Sequence, residues 1–380
     1  MASKEIWLGN QPLNPLEASP EGDYVQLNGD YFYRIRHFDL MEPFFISLVS
    51  YSNHWLFIST SGGLTAGRTN SDSALFPYYT EDKIVDSAHV TGHCAVFLVA
   101  DKDRYRYWEP FARHYDGVYR LERNLYKDVL GTTLIFEEIN RDLDLSYRYS
   151  WQTSHRFGFV KKSLLSNNGA EARRVRLLDG IQNILPYGAN PGVQNELSCL
   201  VDAYKKNELD VDSGLATYSM SSMLTDRAEP SEALSATVAW SCGLPSPQRL
   251  LSSMQLDAFR QGSDVGQETD IHGRRGAYFV ADQLSLDAGQ QCDWSIIADV
   301  NQGPADVANL TKQLTCSELA ASDVEQDVAS GHARLREIIG MADGFQSTGE
   351  RLSTAHHTAC LLYTSPSPRD VEESRMPSSA

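Results

Sequence analysis

One segment of the sequence concentrates residue types that could contact a sugar or a phosphate. The range 59–84 contains Arg68, Asn70 and the paired Tyr78 and Tyr79 among glycines and acids. An arginine fork matches anionic oxygens, and aromatic faces stack on pyranose rings. A surface hairpin with ordinary turn residues would use similar residues. The segment therefore predicts either a ligand-contacting loop or a plain turn. Its Gly-Gly pair is not a Walker loop, because the Lys-Ser/Thr that must reach a phosphate is missing.

A second aromatic segment, RYRYWEPF at 104–111, interleaves arginines with tyrosines and Trp108. If Trp108 faces solvent, its ring could serve as a platform for a sugar. Within a sheet, the same alternation is typical of cation–π packing. Both interpretations stay open from the sequence.

Four carboxylates close together, Glu137, Glu138, Asp142 and Asp144, suggest glycosidase chemistry, which uses an acid and a base or nucleophile. Adjacent residues of a strand point to opposite faces, so Glu137 and Glu138 cannot share one site. The pattern favours solvated charges near a turn.

Other catalytic and metal-binding patterns are weak. The pair His356–His357 has no third ligand at a useful spacing, and the six cysteines are scattered without a C-x-x-C motif. No G-x-S-x-G elbow is present. We expect no metal, no cofactor and a reducing, cytoplasmic environment.

The charge balance argues against two classes of partner. The chain of 380 residues has 33 Lys and Arg against 50 Asp and Glu, a formal charge of -17, without a basic run. Nucleic acid and anionic membrane are therefore poor partners. The first residues lack the apolar stretch of a signal peptide, and no apolar run is long enough to span a bilayer.

The elements that must position these residues are mainly short strands. From 23 to 300, aromatic and β-branched runs alternate with Gly, Asp, Asn and Pro clusters, without crossover helices. This pattern predicts a large antiparallel β-sandwich. Within it, the range 156–180 is interpreted as two strands around an Asn-Asn-Gly turn.

Helical periodicity appears in two places. One helix is expected near 195–208, inserted between strands after the loop PYGANPG. After residue 300 the period changes, and the range 301–343 predicts a helical linker with a Pro in its first turn. The range 1–22 is an N-terminal leader, and 344–359 is too short for a domain of its own.

The last residues differ from the rest of the chain. CLLYTSPSPRD and SRMPSSA, within 360–380, have neither strand nor helix period. Back-translated, both resemble segments of a sequencing-library adapter, in the correct order and frame. We therefore expect 360–380 to be a non-native tail, which resequencing of the locus would test. A disordered native C-terminus is the alternative.

Several motifs together resemble the N-terminal part of the cellobiose phosphorylase family of inverting glycoside phosphorylases and its close relatives. They are FFISLVSYSNHWLFISTSGGLTAGR, ALFPYY, YWEPF, RFGFVKKSLLSNNGAEARRVRLLDGIQNILP and LSLDAGQQCDWSIIADV followed by helices, in that order over 23–359.

The resemblance implies a galactose mutarotase-like supersandwich, a helical linker, and then an (α/α)6 barrel that would begin in 344–359. In such enzymes phosphate attacks a β-glucoside or β-glucan while a barrel carboxylic acid protonates the leaving oxygen, giving a sugar 1-phosphate. That acid and the barrel's phosphate site have no counterpart here, so no catalytic residue is assigned. Inorganic phosphate is the implied co-substrate of a homodimeric parent.

On this resemblance the sandwich lends loop residues to the rim of the sugar site, and the rim candidates are Arg68, Asn70, Tyr78, Tyr79 and Trp108. Other β-glucans or chitobiose are equally acceptable substrates. Two further interpretations remain, a stand-alone carbohydrate-binding or structural sandwich and a fragment of a glycoside hydrolase. If a barrel partner is missing, linker positions such as Leu335 and Ile338 are expected to be exposed.

Overall fold

The fold follows from strand pairing in a computed structural model, which describes residues 6–13, 18–79, 81–222 and 234–341. The expected barrel start at 344–359, the pair His356–His357 and the adapter-like tail at 360–380 lie outside these ranges.

The described strands alternate with turns over most of the chain. In chain order they are β1 (Trp7–Leu8), β2 (Gln11–Pro12), β3 (Glu21–Leu27), β4 (Asp30–Arg36), β5 (Phe45–Leu48), β6 (His54–Ser59), β7 (Leu64–Arg68), β8 (Ala74–Phe76), β9 (Gly92–Asp101), β10 (Arg104–Trp108), β11 (Leu121–Asp128), β12 (Leu134–Asn140), β13 (Leu145–Ser154), β14 (Gly158–Asn167), β15 (Arg173–Ile184), β16 (Lys205–Leu209), β17 (Ala216–Met220), β18 (Ala236–Cys242), β19 (Gln248–Leu250), β20 (Asp270–His272), β21 (Gly276–Leu286) and β22 (Gln291–Gln302). The α-helices are α1 (Glu81–Asp86), α2 (Pro191–Tyr204), α3 (Leu256–Arg260), α4 (Pro304–Thr315) and α5 (Ala321–Met341).

Within the described ranges, the strands form a large sheet and smaller sheets that face it. The 11-stranded sheet has the order β20-β16-β17-β18-β22-β14-β13-β12-β11-β4-β3. A 5-stranded sheet runs β10-β9-β15-β21-β19, and a 4-stranded sheet runs β5-β6-β7-β8. The named strands pair antiparallel, for example β13 with β14 and β15 with β21. The predicted antiparallel β-sandwich is confirmed.

The core lies between the facing sheets. Along β13 the burial alternates residue by residue, with Tyr147 and Tyr149 directed inward. They pack in one cluster with Phe97 and Leu177 of the 5-stranded sheet.

The interpretation of 156–180 as two strands around a turn is correct for the strands, but they do not form a hairpin. β14 pairs with β13 and β22 in the large sheet, whereas β15 pairs with β9 and β21 in the 5-stranded sheet. The chain therefore crosses from one layer to the other at this turn. The Asn167 side chain stabilises the crossing by donating to the backbone oxygens of Glu171 and Leu286.

The inserted helix is present at Pro191–Tyr204, slightly earlier than expected near 195–208. Asn190 caps it, because its Oδ1 accepts from the Val193 N–H at 2.9 Å, and Pro191 occupies the first turn. The helix ends where Lys205 begins β16, which the helical period could not reveal.

The predicted linker range 301–343 contains α4 and α5, and both helices pack on the outer face of the large sheet. Leu335 is only 3% exposed and packs in a cluster with Leu130 and Ile339. The expectation that Leu335 is exposed is therefore wrong, since loop residues of the sandwich cover it, while Ile338 is half-buried. In the described part of the chain, no helix is long and apolar enough to cross a membrane.

Candidate functional site

Arg68 ends β7 and is held by groups from other parts of the fold. Its Nε lies 2.7 Å from Oδ1 of Asp299 on β22, and the two side chains are only 14% and 7% exposed. Nη2 donates to the His155 carbonyl oxygen at 3.0 Å, and Nη1 to Asn53 Oδ1 at 3.4 Å. The guanidinium is thus fixed by an ion pair, and its charge is already matched.

The loop after Arg68 is tightly ordered by its own polar groups. Thr69 has φ 61, a left-handed conformation that a β-branched residue adopts only when its surroundings impose it. Asn53 supplies that constraint, because its carbonyl accepts from the Thr69 N–H at 2.8 Å and its Nδ2 donates to Thr69 Oγ1 at 3.0 Å. The loop geometry therefore depends on β6 and β7 together.

Asn70 caps the short 3-10 turn at Ser71–Ser73. Its Oδ1 accepts from the Ser73 N–H at 3.2 Å. Ser73 Oγ in turn accepts from Asn301 Nδ2 at 2.8 Å. Arg68 contacts Asp299 and Ser73 contacts Asn301, two positions further along β22. This strand therefore sets the position of the whole loop.

An aromatic pair lies against this loop. Trp55 Nε1 donates to the Asn70 carbonyl oxygen at 3.2 Å, and its ring meets Tyr78 edge to face with centroids 5.7 Å apart. Tyr78 is 50% exposed, and Tyr79 beside it is half-buried. One side of the Tyr78 ring therefore packs on Trp55, which contacts Asn70, while the rest of the ring is exposed to solvent.

A cleft of about 330 Å³ opens beside the loop. It has the size of small-molecule sites and carries amide and hydroxyl groups suited to a polyhydroxylated ligand. Its lining residues are Asn70, Asp72, Ser73, Tyr187, Gly188, Asn190, Ser235 and Asn301. We call the loop 68–73, Trp55, Tyr78 and this cleft the rim site.

Sequence reasoning missed Tyr187, Asn190 and Asn301 at the rim site. Tyr187 and Asn190 belong to the loop PYGANPG, whose Pro and Gly content was noticed only as a break before a helix. Asn301 has φ 60 at the end of β22, a conformation that asparagine tolerates better than most residues. A turn-prone asparagine after a long apolar strand is the sequence signal that could have pointed to Asn301.

Two buried titratable groups surround Arg68. Burial raises the pKa of Asp299 to about 6, although Arg68 acts against this shift. Burial, followed by the Arg68 charge, lowers the pKa of His54 to about 3, so its imidazole is neutral at pH 7. Near neutral pH the site therefore holds a matched Arg68–Asp299 pair and no excess positive charge for an anion.

Trp108 is not part of the rim site. It is 2% exposed, its ring packs on Phe97 with centroids 5.3 Å apart, and its Nε1 donates to Glu138 Oε1 at 2.6 Å. A side chain enclosed in this way offers no face to a sugar, so this candidate is corrected. The cation–π contact of its segment lies at Tyr105, whose ring is 5.6 Å from the Arg176 guanidinium.

Glu137 and Glu138 are buried rather than solvated, which corrects the earlier interpretation. Glu138 accepts from Arg123 Nε at 2.7 Å as well as from Trp108, whereas Glu137 accepts from Tyr126 and from Arg148 Nε at 2.5 Å. Their separate partners confirm that they face opposite sides of β12. Charged groups this enclosed need such partners, and these carboxylates already have them.

A further buried network joins the two facing sheets. Asp179 of β15 accepts from Lys161 Nζ at 2.6 and 2.7 Å, from Trp294 Nε1 at 2.7 Å and from the Tyr147 hydroxyl at 3.0 Å. Lys161 and Asp179 are 0% exposed. Burial lowers the pKa of Lys161 and Asp179 opposes this. The network is closed to ligands and serves as a cross-link.

Across the described ranges, no group of three or more His, Cys, Asp or Glu side chains could hold a metal ion.

No family model matches the sequence, and no curated protein sequence matches it significantly. Among solved structures, a bacterial glucoamylase complexed with acarbose aligns with a TM-score of 0.42 at 8% identity, covering 93% of this chain and 43% of its own. A polysaccharide lyase aligns with a TM-score of 0.38 at 10% identity, covering 72% and 34%. A galactose mutarotase-like protein from Lactobacillus casei aligns with a TM-score of 0.36 at 8% identity, covering 68% and 100%.

The chain thus spans less than half the length of the glucoamylase and the lyase. All three TM-scores lie below 0.5, and the fold assignment rests on the strand pairing itself.

Proposed function

We propose that this chain is the sandwich portion of a carbohydrate-active enzyme, and that its rim site contacts the sugar. The observation that carries the proposal is an ordered polar loop that lines an open amide-lined cleft at Asn70 and is joined through Trp55 to the exposed Tyr78 ring. Amides, hydroxyls and one aromatic face are the groups that hold neutral sugars in place.

The parent activity that we propose is inverting phosphorolysis of a β-glucoside or β-glucan to a sugar 1-phosphate. It is supported by the motif resemblance, because FFISLVSYSNHWLFISTSGGLTAGR spans β5 to β7 and ALFPYY spans β8 and Tyr78. Two motifs of the resemblance therefore coincide with the small sheet that carries the rim site. On this proposal the parent is a homodimeric, cytoplasmic enzyme.

The rim site binds sugar rather than phosphate on this proposal. Arg68 is the cation that sequence reasoning offered to an anion, but its charge is matched by Asp299. A phosphate would have to compete with this buried carboxylate. Inorganic phosphate and the catalytic acid therefore belong to the barrel that the resemblance implies, while the sandwich residues orient the saccharide.

The experiment measures the role of Tyr78 in the complete reading frame that contains residues 23–341. Tyr78→Ala removes an exposed ring without opening the core, so folding should be preserved. We expect KM for a cello-oligosaccharide to rise roughly threefold to tenfold, which corresponds to the loss of about 1 kcal/mol of aromatic contact.

Tyr105→Ala is the matched control, because Tyr105 is also 50% exposed but lies on β10, away from the loop. Its KM should equal that of the wild type. Equal kinetic constants for both variants would make the Tyr78 loop structural and remove the rim from the proposed function.

A further inference from the structure

A second open site lies on the outer face of the large sheet, beside α5. The groove between this helix and strands β4, β12, β13 and β14 has a volume of about 690 Å³, within the range of ligand sites. We call it the α5 groove, and define it by Tyr31, Gln152, Lys162, Ala329, His332 and Ala333. It shares no lining residue with the cleft of the rim site.

Small side chains keep the α5 groove open. Val328 and Leu335 anchor α5 on the sheet, both nearly fully buried. Ala329 and Ala333, one turn apart, line the groove next to this anchored face. The groove is therefore open because α5 carries alanines on this side, and a larger side chain at either position would fill it.

Two of the cations that line the groove are already paired with carboxylates. Lys162 Nζ lies 3.0 Å from Asp293 Oδ2 and also binds Glu325, while Arg148 pairs with Glu137. Asp128 accepts from the Thr133 N–H at 2.6 Å. A charged ligand would have to break these pairs, whereas hydroxyl groups can add hydrogen bonds to groups that stay paired.

The mouth of the groove carries an apolar surface. Tyr31 is 52% exposed and Val129 is 39% exposed, and the Val129 N–H donates to the Tyr31 carbonyl oxygen. An exposed aromatic ring beside a polar floor matches a pyranose, which has an apolar face and a hydroxylated edge. A phosphate-bearing ligand would instead meet four lining carboxylates, those of Asp30, Asp128, Asp293 and Glu325, against the three cations Arg148, Lys162 and Arg336.

We propose that the α5 groove is a binding site for a short, uncharged oligosaccharide, separate from the rim site. Tyr31 stacks on one ring of the sugar, and the polar floor from β13 and β14 binds its hydroxyls. The groove holds the ligand without transforming it, and its occupancy does not depend on phosphate or on the reaction of the rim site.

The test is calorimetric titration of the 380-residue chain with cellotriose, laminaritriose and chitotriose. We expect saturable binding of at least one, weakened roughly tenfold or more by Ala333→Trp, which fills the groove, and by Tyr31→Ala. Ala321→Trp, on the same helix but outside the groove, should leave the affinity unchanged, and Tyr78→Ala, at the rim site, should retain the binding component that Ala333→Trp removes. Thermal unfolding of each variant checks that it folds.

Two results would overturn the proposal. One is the absence of binding by all three trisaccharides. The other is binding that Ala333→Trp and Tyr31→Ala leave intact. If Tyr78→Ala alone abolishes binding, the groove is excluded while the rim site gains support, so the two proposals fail independently.

Discussion

At the scale of single residues, Arg68 shows how a sequence signal and its structural role differ. The segment predicted a functional arginine among aromatics, and the structure does place Arg68, Asn70 and Tyr78 around one loop. The sequence could not show that Asp299 pairs with Arg68, because that contact depends on how β7 and β22 meet in the fold. The pair converts a candidate anion site into a neutral one.

Trp108 and Glu138 illustrate the opposite case. The sequence suggested Trp108 for sugar stacking and Glu138 for acid chemistry. In the structure the Trp108 indole N–H donates a hydrogen bond to Glu138 in the core. Because side chains alternate between the two faces of a strand, the sequence predicts which residues share a face. It does not state whether another layer covers that face, so burial at these positions could not be predicted.

The Arg68–Asp299 pair makes a pH prediction. Burial raises the pKa of Asp299 to about 6 in the folded chain, above the ordinary aspartate value of 3.8, so the folded state favours the protonated form. This contribution to stability is present below pH 3.8 and is lost as the pH rises through about 6. The free energy of unfolding of the wild type, relative to Asp299→Asn, should fall by about 2 kcal/mol between pH 4 and pH 7.

Urea unfolding at several pH values measures this difference. The asparagine variant cannot titrate at this position and serves as the reference. A relative stability that is flat or rises over this range would show that burial does not dominate the environment of Asp299.

At the scale of elements, the sandwich is held together by polar as well as apolar contacts. Lys161 and Asp179 join the 11-stranded and 5-stranded sheets within a core of aromatic residues. The strand patterns predicted both elements, but a hairpin between β14 and β15 was expected. Since the Asn-Asn-Gly segment crosses between layers, local turn residues could not distinguish a hairpin from a crossing.

Removing the charge of the buried Lys161 should destabilise the fold far more than removing the charge of its exposed neighbour Lys162. Lys161→Met leaves Asp179 charged and buried without its cation, and should cost about 3–5 kcal/mol of unfolding free energy. Lys162→Met removes a surface cation that is 34% exposed, and should cost about 1 kcal/mol or less. Chemical denaturation of both variants makes the comparison.

Restoring charge balance gives a further check on the same pair. Adding Asp179→Asn to Lys161→Met should recover part of the loss. Equal effects of Lys161→Met and Lys162→Met would contradict the assignment of Lys161 and Asp179 as a cross-link between the sheets.

The helices after residue 300 are the best-predicted elements, because their apolar stripes are long and regular. The sequence did not predict that the sandwich buries these apolar stripes. Leu335 packs on Leu130 of the sandwich, so Leu335→Ala should destabilise the 380-residue chain by about 2–5 kcal/mol.

Ile338→Ala at the half-buried neighbouring position should cost about 1 kcal/mol. Thermal and urea unfolding of both variants provide the measurement. A Leu335→Ala variant as stable as the wild type would mean that α5 does not rest on the sheet as described.

At the scale of the whole molecule, the sequence was sufficient for the fold class and insufficient for the sites. The antiparallel sandwich, the inserted helix and the paired helices all follow from local periodicity. The rim site and the α5 groove combine residues from distant segments, such as Asn70 with Asn301 and Tyr31 with Ala333. Such combinations become visible only when the topology is known.

The most direct test of the proposed function is the phosphate dependence of the complete reading frame on cello-oligosaccharides. The purified enzyme is incubated with and without inorganic phosphate, and the sugar products are separated and their anomeric configuration is determined. We predict a sugar 1-phosphate formed with inversion, and only when phosphate is present. Release of free reducing sugar at a rate independent of phosphate, or no turnover of any β-glucan, would contradict the proposal.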